Sequence, residues 1–126
     1  MTWYNTALQA LGAGQLDLTT GAYKVALTSS AYTPAVAHAF LSSVTNILAT
    51  ATLTTVTWSS AELIIADASI PDPGTGTAAV VVLYKDTGVA GTSRLVGFQT
   101  GVNLVFDGTA DTLDFPATFT LRLLAV

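Results

Sequence analysis

The chain has no cysteine, one histidine and only four cationic side chains among its 126 residues. Without cysteine it has no disulfide, no thiolate nucleophile and no cysteine-ligated metal site. His38 has no second histidine and no nearby acidic residue to act with it, so we interpret it as an ordinary surface or capping side chain rather than a catalytic or metal-binding one. The cations are too few to form the basic stripe of a nucleic-acid-binding protein. They are Lys24, Lys85, Arg94 and Arg122.

Charge of either sign is scarce, at 10% of residues with a formal net charge of −4, against about 25% charged residues in an average soluble domain. The mean hydropathy is +0.58, yet no apolar run approaches the ~18 residues of a membrane helix. No lysine or arginine precedes Lys24, so we expect no secretory signal, which begins with a basic region. From Val25 through Ala61 there is no charged residue at all. We therefore expect part of this span, above all residues 31–47, to be covered by another copy or another protein, the alternative being a monomer with an unusually apolar surface.

The stretch from Thr77 to Gly88 has the highest density of apolar side chains, seven in a row from Ala78 to Tyr84. A short run rich in valine predicts a strand that is covered on both faces. The Lys-Asp-Thr-Gly sequence that follows is typical of a turn. We expect the fold to be built around this strand.

A short helix is predicted over Thr2–Leu11, capped by Thr2, with one apolar face and glycines at its end. Alternation of apolar and polar residues predicts the strands, with a bend between Leu53 and Val56 and a loop over 68–76. The strands are placed at 22–28, 50–58, 62–66, 77–84, 94–100, 102–106, 113–115 and 117–126. The fold class is therefore mainly β: an antiparallel β-sandwich or flattened barrel of about seven strands with a short N-terminal helix. Residues 1–126 form a single domain, in which 1–14 are the helix or arm and 31–48 an irregular excursion.

Few residues suggest chemistry. Asp107, Asp111 and Asp114 lie close enough in sequence to supply part of a calcium site, although aspartate and glycine are equally typical of hairpin turns. No set of residues has the pattern of a catalytic site, so we expect no enzymatic activity and no cofactor.

Several motifs nevertheless resemble a known group of proteins. They are KVALT at 24–28, SAYTP at 30–34, His-x-Phe at 38–40, VTN at 44–46 and YKDTG at 84–88. This order, with an aliphatic strand before YKDTG, resembles a group of small virion proteins of tailed bacteriophages. The motifs are strands and turns, so the resemblance concerns lineage rather than an active site.

The resemblance implies a structural virion protein, most simply a capsid decoration (cement) protein on the outside of the phage head. Such a protein assembles as an oligomer, here expected to be a homotrimer, binds the major capsid protein and stabilises the shell, with no nucleic-acid or membrane partner. It occupies the host cytoplasm during assembly and then the virion surface. Two alternatives are a neck or tail component and a carbohydrate-binding adhesion module, which needs exposed aromatic side chains such as Trp58 or Tyr32.

The N-terminal segment and the excursion are expected to make the contacts with the shell or with neighbouring copies. Aspartate at Tyr32 or Phe40 is accordingly predicted to leave the monomer folded and to block assembly. The candidate interface residues are Trp3, Tyr4, Leu8, Tyr32, Val36, Phe40 and Val44.

Overall fold

The computed structural model describes residues 1–19, 21–53, 56–59, 62–65, 68–70, 73–113 and 121–122. Within these residues the chain is mainly β, every described strand pair is antiparallel, and one short helix lies near the N-terminus, which confirms the predicted fold class. The strands are shorter and more numerous than predicted. The elements are β1 (Thr2–Trp3), α1 (Asn5–Gly12), β2 (Ala22–Thr28), a 3-10 turn (Leu41–Ser43), β3 (Ile47–Leu53), β4 (Val56–Ser59), β5 (Glu62–Ile65), β6 (Ala68–Ile70), β7 (Thr75–Ala78), β8 (Val80–Asp86), β9 (Arg94–Gln99), β10 (Leu104–Asp107), β11 (Asp111–Leu113) and β12 (Leu121–Arg122).

The main sheet has five strands in the order β1-β9-β8-β2-β3. Strand β8 is at its centre, and residues Val80 through Tyr84 are all buried. Because successive side chains of a strand point to opposite faces, burial of five in a row means that both faces are covered. The prediction of a central strand is therefore confirmed, and each of its buried aliphatic side chains contributes roughly 1.5–3 kcal/mol.

Strand β2 pairs with both β8 and β3. The predicted alternation gave it one solvent-facing side, but Ala26 and Thr28 on that side are fully buried. Lys24, on the same side, is half-buried and its Nζ lies 3.0 Å from Asp86 Oδ2 in a salt bridge. The small size of Ala26 and the hydrogen bond from the Thr28 hydroxyl to the Ser29 carbonyl, 3.2 Å, suit these positions to a covered face.

Helix α1 begins three residues later than predicted, and Thr2 does not cap it. Thr2 and Trp3 form an edge strand instead, with Thr2 opposite Phe98 and Trp3 opposite Gly97. The sheet offers backbone partners to residues that a helix of this length leaves unpaired at its start. The helix buries Ala7 and Ala10, whereas Leu8 and Leu11, expected on the buried face, are only half-buried.

Shorter pairings occupy the rest of the described chain. β4 and β5 form a hairpin flanked by β12, while β6 pairs with β11 and β7 with β10. The predicted loop over 68–76 is therefore wrong at both ends, because partner strands supply backbone hydrogen bonds to residues 68–70 and 75–76. β3 ends at Leu53 and β4 begins at Val56, and the bend predicted between them lies outside the described residues. The predicted strand at 117–126 is described only at Leu121–Arg122, and most of it lies outside the described residues.

None of the described helices has the length and hydrophobicity needed to cross a bilayer.

Candidate functional site

The excursion, residues 31–48, is attached by its backbone to the edge of the main sheet. The Leu41 amide donates to the Ser93 carbonyl at 2.8 Å, and the Leu95 amide donates to the Ala39 carbonyl at 2.9 Å. Phe40 forms a β-bridge with Arg94, whose guanidinium carbon lies 4.9 Å from the centre of the Phe40 ring. The excursion therefore has a fixed position on the fold, although it contains only one 3-10 turn and the start of β3.

A chain of hydrogen-bonded side chains attaches the other end of the excursion to the helix. The Tyr4 and Tyr32 hydroxyl oxygens are 3.0 Å apart, and the Tyr32 hydroxyl lies 3.0 Å from His38 Nδ1. The Thr6 hydroxyl donates to the His38 carbonyl at 2.6 Å, and the Asn5 amide donates to the Val36 carbonyl at 2.8 Å. These bonds fix the excursion against the first turn of α1.

The surroundings of Tyr4 and Tyr32 keep both phenol groups in their neutral form. Burial raises the pKa of Tyr4, and its hydrogen bond to Tyr32 raises it further. Burial also raises the pKa of Tyr32, with the bond to Tyr4 acting in the opposite direction. His38 was interpreted from the sequence as an ordinary surface or capping side chain, but it is half-buried and hydrogen-bonded to Tyr32. No sequence motif links a histidine to a tyrosine six residues earlier, so this bond has no signal in the sequence.

The structure divides the predicted interface residues into two groups. Tyr4, Tyr32 and Val44 are buried within the chain itself, so the fold accounts for their burial without a partner. The burial of Tyr32 changes the expectation for aspartate at this position: a carboxylate there would replace a buried, hydrogen-bonded hydroxyl, so we expect it to disrupt folding as well as assembly, while the effect at Phe40 stays as predicted. Val36 is the most exposed member, at 41%. Trp3, Leu8 and Phe40 are half-buried.

None of the exposed residues within 31–52 is charged, and we call this set of exposed residues the uncharged surface. Two of its members, Val36 and Ile47, are large exposed hydrophobic residues. The backbone extends it towards the loop after β8, since the Ser42 amide donates to the Ala90 carbonyl at 3.1 Å, next to Val89, which is 60% exposed. Its members are Ala31, Thr33, Ala35, Val36, Ala37, Ser42, Ser43, Thr45, Asn46, Ile47, Thr50 and Thr52.

The candidate calcium ligands are described only in part. The Asp107 carboxylate accepts hydrogen bonds from the hydroxyl and the amide of Thr109, which lower its pKa and hold it in its own turn. The side chain of Asp111 and the whole of Asp114 lie outside the described residues. Calcium binding by these three residues stays a prediction.

The aromatic residues proposed as a sugar platform are largely in the core. All four tyrosines are buried, among them Tyr32, so Tyr32 is not an exposed platform. Trp3 and Trp58 are half-buried and pack against the core. A flat exposed ring is the basis of stacking on a sugar, and Trp58 offers only part of its surface.

No family model, no curated protein and no solved structure significantly matches this chain.

Proposed function

We propose that this chain is a structural protein of a tailed-phage virion, and specifically a decoration protein that binds the outside of the head as a homo-oligomer, with three copies around a local symmetry axis. The location follows from the resemblance of the KVALT, SAYTP and YKDTG motifs. In this proposal the uncharged surface binds the major capsid protein or a neighbouring copy, and it adds contacts that stabilise the assembled shell.

The observation that carries the proposal is the uncharged surface itself. Its backbone is held by hydrogen bonds from α1 at Val36, and with β9 and the residue before it at Ala39 and Leu41. A surface fixed in advance loses little conformational entropy when it binds, which favours affinity. Depletion of charge with exposed aliphatic side chains such as Val36 and Ile47 is typical of the central part of a protein interface.

The first test is the copy number of the protein in purified particles, measured by quantitative mass spectrometry against the major capsid protein. A ratio near one to one supports a protein that covers the shell. A handful of copies per particle supports the neck or tail alternative instead. Absence from particles refutes the virion proposal.

A substitution tests whether the uncharged surface makes the contact. Val36→Asp places a charge at an exposed site, so the fold is expected to tolerate it within about 0.5 kcal/mol, whereas binding to particles lacking the protein falls at least about tenfold because the charge is desolvated in the interface. Val105→Asp is the matched control, since Val105 is 68% exposed and lies on β10, outside the residues that define the uncharged surface.

Folding of both variants is checked by circular dichroism and thermal unfolding, and binding by co-sedimentation with particles. If Val36→Asp binds as well as the control and the unmodified chain, the uncharged surface is not the contact. If Trp58→Ala removes glycan binding while particles remain intact, the adhesion alternative replaces the proposal.

A further inference from the structure

Two cations face each other at one end of the main sheet. Lys85 at the end of β8 and Arg94 at the start of β9 are directly opposite partners in the antiparallel ladder. Like charges placed opposite one another across two strands are destabilising. The described salt bridge of the chain, Lys24 with Asp86, involves neither of them.

Both side chains line one cleft. It has a volume of about 240 Å³ and is bordered by Gln15, Leu16, Asp17, Lys85, Thr87, Thr92 and Arg94. We call it the cationic cleft. It lies between the segment after α1 and the β8–β9 end of the sheet, and it adjoins the excursion where Arg94 contacts Phe40.

The two cations are held in place by neighbouring groups. The Lys85 ammonium donates a hydrogen bond to the Asp17 carbonyl and lies 5.6 Å from the centre of the Tyr23 ring. Gly21, at φ +103°, lets the lysine pass, because a Cβ there would lie 2.6 Å from Lys85 Cε. The Arg94 guanidinium lies over the Phe40 ring.

The remaining walls are also rigid. The Thr87 and Thr92 hydroxyl oxygens are 2.6 Å apart, and the Thr87 amide donates to the buried Ser93 hydroxyl at 3.0 Å. Among the described residues that line the cleft, Asp17 is the one acid, and its Oδ1 accepts from the Thr19 amide at 2.8 Å and the Thr19 hydroxyl at 2.6 Å. Its carboxylate is thus drawn into its own turn, although its charge still reduces the positive charge of the site.

We propose that the cationic cleft binds a carboxylate between Lys85 and Arg94. A bound carboxylate neutralises the repulsion between the two cations, and the guanidinium presents paired donors that match its two oxygens. The carboxylate comes either from a small acid or from an acidic side chain of a second copy. A second copy has acids to offer, because six of the eight acids of the sequence lie in residues 62–72 and 107–114, and none of the described residues in these ranges lines this cleft.

The test is a titration of the isotope-labelled chain with sodium acetate, compared with sodium chloride at equal ionic strength and followed by amide chemical shifts. We expect saturable shifts at Thr87, Thr92 and Arg94 with a dissociation constant on the order of 10 mM, as for one exposed charge-assisted contact. Arg94→Gln abolishes the saturation. Arg122→Gln, which makes the same change of net charge in β12, a strand of a different sheet, changes the constant by less than about twofold. Asp17→Asn lowers it severalfold because it removes the opposing charge.

Shifts that are equal in acetate and chloride, or that persist in Arg94→Gln while that variant is folded, overturn the proposal. Sedimentation equilibrium then identifies the source of the carboxylate. If saturating acetate and Arg94→Gln both weaken self-association, a second copy supplies it; if association is unchanged while acetate binds, a small acid does. Acetate binding by the isolated chain does not rest on the virion proposal, so the two fail separately.

Discussion

The hydrogen-bonded chain Tyr4–Tyr32–His38 allows a quantitative prediction about the site. Tyr32→Phe removes the one hydroxyl that contacts both Tyr4 and His38, each at 3.0 Å. Tyr4 is fully buried, so its hydroxyl then lacks its partner, which costs about 1–3 kcal/mol. Tyr4→Phe is expected to cost less, about 0.5–1.5 kcal/mol, because the Tyr32 hydroxyl keeps its bond to His38.

The double variant separates this explanation from a simple loss of contacts. Once Tyr4 is phenylalanine, the second substitution leaves no orphaned hydroxyl on the helix side, so Tyr4→Phe/Tyr32→Phe is expected to be no less stable than Tyr32→Phe alone. Urea unfolding followed by the fluorescence of Trp3 and Trp58 measures this, and a loss of 2 kcal/mol moves the midpoint by about 1 M. Tyr23→Phe is a control, since its hydroxyl is 3.5 Å from the Asp17 carbonyl, a weak bond. Additive costs of the two single substitutions would refute the reasoning.

Two further predictions concern the core and its tyrosines. Leu83 is fully buried on the central strand, so Leu83→Ala is expected to lower the free energy of unfolding, measured in urea, by about 2–5 kcal/mol. Val105→Ala, at an exposed position, is expected to change it by less than about 0.5 kcal/mol. Equal effects of the two substitutions would contradict the placement of β8. Burial raises the pKa of Tyr84 to about 12, with a smaller contribution from Asp86. Because the folded pKa lies above the unfolded value of about 10, the neutral tyrosine stabilises the fold below pH 10, and this stability is lost as the pH rises towards 12. Tyrosinate absorbance at alkaline pH should therefore appear together with the loss of circular dichroism, and a gradual titration near pH 10 in the folded protein would be inconsistent with the burial of all four tyrosines.

The sequence predicts the fold best where an element depends on residues close to it in the chain, and less well where it depends on partners far away in sequence. The valine-rich run predicted β8, and the strand predicted at 94–100 corresponds to β9 at Arg94–Gln99, because the local run of apolar residues determines where a buried strand forms. The start of the helix was misplaced, since Thr2 and Trp3 pair with residues of β9 that are far away in sequence. Proline and glycine in 68–76 indicated a loop, but partners at 104–113 convert both ends into strands.

The candidate site shows the same division. The absence of charge from Val25 to Ala61 is visible in the sequence and located the uncharged surface. It did not distinguish exposed Val36 from buried Tyr32, because Tyr32 is buried through contacts that include Tyr4, the residue just before α1 and 28 positions earlier. The opposition of Lys85 and Arg94 depends on the register of a hairpin with a bulge, which composition and spacing do not specify.

The strand order of the main sheet has a consequence for how the chain is made. β1 is synthesised more than 90 residues before its partner residues Gly97 and Phe98, which belong to the last strand of the main sheet to be made. At ribosomal rates of about 5–20 residues per second, the N-terminal edge waits roughly 5–20 s for its partner. During that interval β2 and β3 are also without their central neighbour β8, so apolar strands stay accessible on the nascent chain. The sheet cannot form before β8 and β9 have emerged, so its early apolar strands need shielding from other chains until late in synthesis.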